Sequence, residues 1–285
     1  MAWYQDEFFF AELRAMASML ARGGGIYHFL YGEDAYRYAG SIAGFRRNRI
    51  VCTYHQPPAV FERVIRSTAH LRRLHGVVVL ASNQAPYFRA LVGKEKVFLV
   101  PHGVDTRFFR PPVTRPKTTT CLFVGQWLRD FAMLAEVIQL VRAKDRGIHF
   151  EVVTKPEHHH QLAGLEGVNL RSALPEDDLL ALYQTSALLV LPLLDCAANN
   201  AVLEAMACGL PIVATGVGGI GDYLDDGCSC LVPPGNSPRM ADAIVGLVQD
   251  DPKRESLGRG ARMKSLEFDW AVVASRLLEV YEHLG

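Results

Sequence analysis

The stretch Leu191-Pro-Leu-Leu-Asp-Cys-Ala-Ala-Asn-Asn-Ala-Val-Leu-Glu-Ala-Met-Ala-Cys-Gly-Leu-Pro-Ile-Val-Ala-Thr215 predicts the end of a strand, a turn, a helix and a second strand. The apolar run 187–191 stops at Pro192 and is typical of a strand buried on both faces, as in parallel sheets. A second apolar run at 212–215 resumes the sheet. Elements in this order predict a parallel α/β fold.

The helix between these strands has well-marked ends. Residues 201–208 are rich in Ala, Leu, Glu and Met, which favour helices, and either Asn199 or Asn200 can serve as the N-cap. Gly209 supplies a left-handed C-cap, and Pro211 prevents the helix from continuing. Because the first N–H groups of such a helix are unpaired and aligned with its dipole, we expect a phosphate or diphosphate to bind at this turn.

Two neighbouring features fit a nucleotide ligand. Glu204 lies one turn into the helix, where its carboxylate can accept hydrogen bonds from the hydroxyls of a nucleotide sugar. The glycine-rich turn 216–221 follows the next strand and lets the backbone approach a ligand closely. Each feature alone also fits a plain structural role, as a solvated glutamate or as loop glycines. Their combination favours a ligand site.

These residues resemble a known family. The segment from Asn199 to Thr215, the pair Gly218-Gly219 and the segment 227–235 are similar to the C-terminal signature of the retaining nucleotide-sugar glycosyltransferases of family 4, also called group 1. Upstream, 100–111 resembles the segment between the two domains of these enzymes, and 122–126 resembles the opening strand of their second domain. The resemblance runs from about Ile26 to the C-terminus.

The resemblance implies the GT-B fold, in which two Rossmann-like parallel-sheet domains face each other across a cleft. We expect a partial, acceptor-side domain at 1–109, a proline-rich linker at 110–118 and a nucleotide-sugar-binding domain at 119–268. The remaining residues, 269–285, are expected to form a helix that packs back toward the first domain. The first domain is expected to be truncated, because a helix precedes the Ile26 strand where the family has further strands.

The pattern of apolar runs predicts ten strands, at 25–31, 49–54, 76–81, 96–100, 120–124, 148–153, 168–170, 187–191, 212–215 and 229–232. Helices are predicted before and between the strands of the first half, at 4–21, 59–74 and 84–92. Further helices are expected between the strands of the second half.

The resemblance also implies roles for particular residues. His55 matches the family's active-site histidine, which contacts the transferred sugar or the attacking hydroxyl, although a capping histidine in a turn is the alternative. Glu204 matches the glutamate that holds the ribose. The turn whose amides meet the diphosphate is matched by Asn199, Asn200, Ala201 and Val202.

The match departs from the family at two places. Gly125 ends the opening strand as expected, but Gln126 stands where the family has an arginine. Arg129 is then the nearby cation, and we expect it to neutralise the leaving diphosphate, with a surface arginine at a helix start as the alternative. The first glutamate of the family's Glu-x7-Glu pair is replaced by Cys196. Asp195 beside it could substitute if the turn shifts by one residue.

The implied reaction is the transfer of a sugar from a nucleoside diphosphate to an acceptor hydroxyl with retention at the anomeric carbon. The resemblance implies His55 and Arg129 as catalytic residues and requires neither a metal nor a further cofactor. The expected acceptor is an unknown hydroxyl of a glycan, a lipid-linked sugar or a small molecule. Two alternatives stay open. One is a catalytically impaired relative that acts as a binding or partner subunit, and the other is a nucleotide-sugar epimerase on the same fold.

Composition limits the other function classes. The 285 residues are 49% hydrophobic, and 30 Lys and Arg balance 30 Asp and Glu, which gives no charge bias toward nucleic acid. No apolar run approaches the roughly 20 residues of a membrane span, so a cytoplasmic protein is expected. The basic cluster 46–49 predicts either a solvated turn or a peripheral contact with acidic lipid.

Cysteine and histidine are the residue types that could indicate metal or disulfide chemistry. The six cysteines lack paired metal-ligand spacing and are expected to be buried thiols. The triplet at 158–160 consists of consecutive histidines, which project in different directions and are expected to form a loop without metal.

Overall fold

The computed structural model describes residues 4, 6–65 and 67–285, and in it the chain folds into two units. The first unit extends to His102 and includes Ala271–Gly285, and the second is Gly103–Trp270. Both units are built on a parallel sheet. The α/β fold class with two parallel sheets is therefore confirmed.

The strands are β1 Ile26–Phe29, β2 Arg49–Tyr54, β3 Gly76–Val79, β4 Val97–Leu99, β5 Thr120–Val124, β6 His149–Val153, β7 Val168–Arg171, β8 Leu188–Leu191, β9 Ile212–Thr215 and β10 Ser229–Val232. The helices are α1 Asp6–Arg22, α2 Gly32–Ala35, α3 Pro58–Val64, α4 Ala85–Val92, α5 Phe131–Lys144, α6 Glu176–Thr185, α7 Asn200–Ala207, α8 Ser237–Gln249, α9 Asp251–Ser265 and α10 Trp270–Leu284. Short 3₁₀ segments lie at Ala39–Ser41, Phe45–Arg47, Ala69–Arg73, Ser82–Gln84, Lys94–Lys96, Pro156–Gln161, Ile220–Asp222 and Leu266–Phe268.

All ten predicted strands are present, and β2, β5, β9 and β10 have the predicted bounds. Strands buried on both faces appear in the sequence as continuous apolar runs, and β8 and β9 are buried at every position. The apolar runs therefore located the strands with little error.

The predicted helix at 59–74 is wrong. α3 ends at Val64, Ile65 adopts an extended conformation, and the chain turns again only in the 3₁₀ segment Ala69–Arg73. Val64 and Ile65 are β-branched, and Ser67 and Thr68 follow closely, so this stretch has low helix propensity. The spacing of apolar residues had instead predicted one continuous helix across 59–74.

The first sheet has the order β1-β2-β3-β4. One face packs on a core rich in aromatic rings, where Tyr54 stacks on Phe88 with 4.7 Å between ring centroids. The other face meets α10, whose Val273 and Val280 join Val51 of β2 in an apolar cluster. This helix thus provides one layer of the first unit.

A partly buried hydrogen-bond chain also ties α10 to this sheet. His28 of β1 contacts the Tyr281 hydroxyl through Nδ1 at 2.6 Å and the Thr53 hydroxyl through Nε2 at 2.8 Å. Burial, reinforced by His55, lowers the pKa of His28 to about 4, so its ring is neutral at pH 7. Tyr281 is accordingly a packing residue of the helix.

The second sheet has the order β10-β9-β8-β5-β6-β7. Chain order reverses between β5 and β8, which pair directly through Cys121 with Leu188 and Leu122 with Leu189. In open parallel sheets the loops diverge at such a reversal, and ligands bind beyond the carboxyl ends of the strands there. The fold alone therefore singles out the loops after β5 and β8.

The proline-rich segment predicted as a linker contains a buried anchor. The Arg115 guanidinium donates to the carbonyl oxygens of Tyr183, Gln184 and Ser186 at 3.1 to 3.2 Å and to that of Cys208 at 2.6 Å. These carbonyls lie at the C-terminal ends of α6 and α7, where helices leave carbonyl groups unpaired. Arg115 therefore caps two helices of the second unit at once.

We expect Arg115→Met to lower the free energy of unfolding of the second unit by about 3 kcal/mol, because several partly buried carbonyls lose a charged donor. Urea denaturation measures this change. Arg239→Met is the matched control, since Arg239 is exposed on α8. Equal losses in the two variants would show that the guanidinium does not cap the helices.

Candidate functional site

The loops after β5 and β8 are joined to each other at the reversal of the second sheet. The Asp130 N–H donates to the Pro192 carbonyl at 3.0 Å, and the Leu194 N–H donates to that of Leu128 at 2.9 Å. Leu128 adopts a positive φ of 55°, which is strained for a residue with a branched side chain. These two backbone hydrogen bonds thus hold the loop after β5 and the loop after β8 together.

Arg129 fills the space between these loops. Its guanidinium donates to the Val124 and Trp127 carbonyls and to Asn199 Oδ1, each at 3.1 Å. Gly125 has a φ of 105°, and a Cβ there would lie 2.6 Å from the Arg129 guanidinium. Gly125 is required both for this backbone conformation and for room beside the arginine.

Arg129 remains a cation in this position. Burial lowers its pKa, an effect that the nearby Cys196, Tyr183 and Glu204 oppose. Because an arginine side chain ordinarily titrates above pH 12, it stays protonated at neutral pH. Its three hydrogen bonds hold the half-buried guanidinium against its own loop and the cap of α7.

Asn199 is the N-cap of α7, which decides between the two asparagines that the sequence left open. Its Oδ1 accepts from the Val202 N–H at 3.4 Å, while Asn200 is exposed as the first helical residue. No partner within the described residues accepts from the N–H groups of Asn200 and Ala201. Two helix-start amides are therefore available beside a fixed guanidinium.

Glu204 is held by a residue that the sequence did not single out. The hydroxyl of Tyr183, a fully buried residue of α6, donates to Glu204 Oε2 at 2.8 Å. Burial raises the pKa of Glu204, and the Tyr183 hydrogen bond opposes this shift. Nothing in the pattern of α6 distinguishes Tyr183 from any apolar residue of a core-facing helix.

Asp195 occupies the tight turn between β8 and α7. Its Oδ1 accepts from the Cys196 N–H at 2.7 Å, and the Cys196 carbonyl accepts from the Gly219 N–H at 2.7 Å. Gly218 has a φ of 57°, and a Cβ there would lie 2.2 Å from the Cys196 carbonyl oxygen. The backbone of the glycine-rich turn after β9 thus supports the segment between β8 and α7.

Large apolar side chains border the same loops. Trp127 is 53% exposed and Leu194 is 61% exposed. Trp127 lies in the loop after β5 and Leu194 in the loop after β8. Their position beside the Arg129 loop gives the site an apolar rim.

His55 belongs to the first unit, at the end of β2. Tyr31 stacks on its ring with 4.4 Å between centroids, and the His55 N–H donates to Glu33 Oε1 at 2.9 Å. The turn after β1 supplies both contacts, because β1 and β2 are parallel neighbours whose carboxyl ends meet. Among the predicted site residues, Gly125, Arg129, Asp195, Asn199, Asn200, Ala201, Val202 and Glu204 all lie on the second unit.

The histidine triplet forms part of the 3₁₀ segment Pro156–Gln161 rather than an irregular loop. Proline at its start and the ring of His158 stacked on Phe131, at 4.4 Å between centroids, order this segment. No cluster of three potential metal ligands occurs within the described part of the chain. None of the six cysteines, all of which lie in the described part of the chain, forms a disulfide, and all but Cys230 are buried.

The basic cluster is only partly described. Arg49 donates from Nε to the Leu284 carbonyl at 3.2 Å, and Arg47 is exposed, whereas the side chain of Arg46 lies outside the described residues. None of the helices described here is long and apolar enough to cross a membrane.

Comparison with known proteins gives a family match that lies in the second unit. Residues 118–250 match the family model of the glycosyl transferases of group 1. A D-inositol 3-phosphate glycosyltransferase of Corynebacterium aurimucosum is 28% identical in an alignment 236 positions long, which covers 71% of this chain and 56% of the relative. An MMP alpha-(1->4)-mannosyltransferase of Mycolicibacterium hassiacum is 28% identical over 67% of this chain and 49% of its own length. The chain spans about half the length of these relatives.

Solved structures show the same fold. The sucrose-phosphate synthase of Thermosynechococcus elongatus superposes with a TM-score of 0.73 at 21% identity, over 95% of this chain and 77% of that one. Anabaena Alr3699/HepE, solved in complex with UDP and glucose, gives a TM-score of 0.76 at 16% identity, over 95% and 81% of the two chains. Through its residues 118–250, this chain is similar to the glycosyl transferases of group 1.

Proposed function

We propose that this chain transfers a sugar from a nucleoside-diphosphate sugar to an acceptor hydroxyl, with retention at the anomeric carbon. The observation that supports this proposal most strongly is the arrangement at the start of α7. The Arg129 guanidinium bonds to the helix cap Asn199, beside two N–H groups without a partner in the described residues. Cations and helix-start amides together are suited to a diphosphate.

The ribose of the donor nucleotide would contact Glu204. The Tyr183 hydroxyl occupies Oε2 and orients the carboxylate. The free lone pairs of the carboxylate can accept from vicinal hydroxyls, as those of a ribose. Glu204 lies four residues after Asn200, the first residue of α7, so about one helical turn separates the diphosphate position from the ribose position.

Catalysis in this proposal rests on positioning and on charge stabilisation. When the bond between the sugar and the diphosphate breaks, negative charge develops on the leaving phosphate, and Arg129 and the α7 amides stabilise it. That phosphate takes the proton of the acceptor hydroxyl on the same face of the sugar, so no protein nucleophile is needed. His55 provides a polar contact for the acceptor hydroxyl or the transferred sugar, and no metal or further cofactor is invoked.

The names of the relatives support the substrate class. Two relatives are named as a glycosyltransferase and a mannosyltransferase, and the Anabaena protein was solved with UDP and glucose. We propose a nucleoside-diphosphate sugar as donor and a hydroxyl of a glycan, a lipid-linked sugar or a small molecule as acceptor. A peripheral contact with acidic lipid at 46–49 would suit a lipid-linked acceptor.

Glu204→Ala is expected to weaken the binding of the preferred nucleoside diphosphate among UDP, GDP and ADP by about tenfold or more. A hydrogen bond to a charged group contributes about 1.5 to 3 kcal/mol, which corresponds to this range. Isothermal titration calorimetry measures the affinity. Glu255→Ala is the control, because Glu255 is an exposed glutamate on α9. Unchanged affinity in Glu204→Ala would contradict the ribose role.

Tyr183→Phe is expected to weaken the same binding by about two- to tenfold, since it removes one hydrogen bond that orients the carboxylate. Glu204 itself remains, so the loss should be smaller than in Glu204→Ala. In the double variant, Tyr183→Phe should add little to Glu204→Ala. Fully additive losses in the titrations would show that Tyr183 does not act through Glu204.

The reaction itself is tested by incubating the protein with a radiolabelled nucleotide sugar and a panel of hydroxyl acceptors. The proposal predicts release of the nucleoside diphosphate together with a labelled product of retained configuration. Nucleotide binding without transfer would favour a catalytically impaired binding subunit. Conversion of the donor sugar without an acceptor would indicate an epimerase.

A further inference from the structure

The first unit contains two buried glutamates with different surroundings. Glu12 of α1 is 1% exposed, and its Oε1 accepts from the N–H groups of Arg37, Tyr38 and Ala39 at 2.7 to 2.8 Å. Its Oε2 accepts from the Tyr4 hydroxyl. Both oxygens of Glu12 are therefore used to fix a turn, which is a structural role.

Glu33 is equally buried but has far fewer partners. Its side chain is 2% exposed, and Oε1 accepts a single backbone hydrogen bond, from the His55 N–H. Oε2 is buried and has no hydrogen-bond partner within the described residues. Burying a carboxylate with so few donors is unfavourable, so a purely structural role explains Glu33 poorly.

Another unsatisfied atom lies beside Glu33. His55 Nδ1 is also buried without a hydrogen-bond partner in the described part of the chain. Gly32 brings the turn onto β2, because a Cβ there would lie only 2.7 Å from the Tyr54 ring and 2.8 Å from Cys52. Unpaired buried polar atoms are uncommon in folded proteins, and their grouping under one turn indicates a functional arrangement.

The geometry of His55 shows how Glu33 would act. Its Nδ1 is buried and lies 3.7 Å from Glu33 Oε1, while Tyr31 stacks on the ring. Tyr31 covers one face of the ring and Nδ1 is buried, so Nε2 is the nitrogen that a ligand can reach. A carboxylate beside Nδ1 favours the tautomer with hydrogen on that nitrogen, which leaves the Nε2 lone pair free to accept from a hydroxyl.

We propose that Glu33 is a positioning residue that holds His55 with its hydrogen on Nδ1 and presents Nε2 to a hydroxyl of the acceptor or of the transferred sugar. This inference rests on the proposed transferase function for the hydroxyl, but the pairing of Glu33 with His55 stands on the first unit alone. The 3.7 Å separation is long for a hydrogen bond and would shorten when a ligand orders the ring. Glu33 does not itself touch the substrate.

The charged neighbours of the pair are consistent with this role. Asp34 follows Glu33 in α2, and burial together with the Glu33 charge raises the pKa of Asp34 to about 6. His28 on β1 is neutral at pH 7 for the reason given above, and His102 approaches the His55 ring edge-on at 6.1 Å between centroids. No lysine or arginine forms an ion pair with Glu33 within the described residues, and the ring of His55 is the ionisable group beside its carboxylate.

The test compares Glu33→Gln and Glu33→Met with Glu12→Gln in the full chain. Nitrogen-15 NMR of the His55 ring reports its tautomer without requiring activity. We expect the Nδ1–H form to dominate in the wild type and in Glu12→Gln, to decrease in Glu33→Gln and to lose its dominance in Glu33→Met. If Glu33→Met does not fold, Glu33→Gln, which retains an acceptor for the His55 N–H, decides the outcome.

Kinetics provides the second readout. We expect the Glu33 variants to lower kcat by about tenfold or more with donor KM within about twofold, since Glu33 acts through His55 on the reacting hydroxyl and not on nucleotide binding. An unchanged His55 tautomer in both Glu33 variants, or an equal change in Glu12→Gln, would overturn the proposal. A changed tautomer in a protein that binds nucleotide but transfers no sugar would instead overturn the transferase function and leave the pairing established.

Discussion

The contact between Arg129 and Asn199 is the interaction on which the second unit's site depends. It joins the loop after β5 to the cap of α7 at the place where strand order reverses. The guanidinium also holds its own loop through the Val124 and Trp127 carbonyls. The Arg129 side chain thus joins its own loop to the start of α7, and these contacts also hold its guanidinium in place. An anion that binds there would require little rearrangement of the protein.

In both units the candidate functional residues lie at the carboxyl ends of parallel strands, but different contacts hold them in position. In the second unit, Gly125 and Gly218 both have a positive φ. Gly125 leaves room for the Arg129 guanidinium, and Gly218 leaves room for the Cys196 carbonyl group. In the first unit, the turn after β1 buries Glu33 and leaves polar atoms of Glu33 and His55 without hydrogen-bond partners among the described residues. The first arrangement is suited to holding a charged ligand, and the second to presenting one nitrogen to a reacting group.

The sequence predicted the sheets well and the connections between their side chains poorly. Strands such as β8 are buried on both faces and appear as apolar runs, and the ends of α7 follow from Asn199, Gly209 and Pro211. By contrast, Tyr183, Glu33 and Arg115 act through contacts with residues 21 or more positions away. Local sequence propensity does not indicate such long-range pairs. The helix predicted at 59–74 was wrong because the prediction gave more weight to the spacing of apolar residues than to the low helix propensity of β-branched residues.

The central claim, that Arg129 and the start of α7 form a diphosphate site, is tested most directly by titrating Arg129→Gln and the wild type with a nucleoside diphosphate and with the corresponding nucleoside. The account predicts that the variant loses at least about tenfold in affinity for the diphosphate and keeps its affinity for the nucleoside, which shows that the site is still folded. Equal affinity of both proteins for the diphosphate would contradict it.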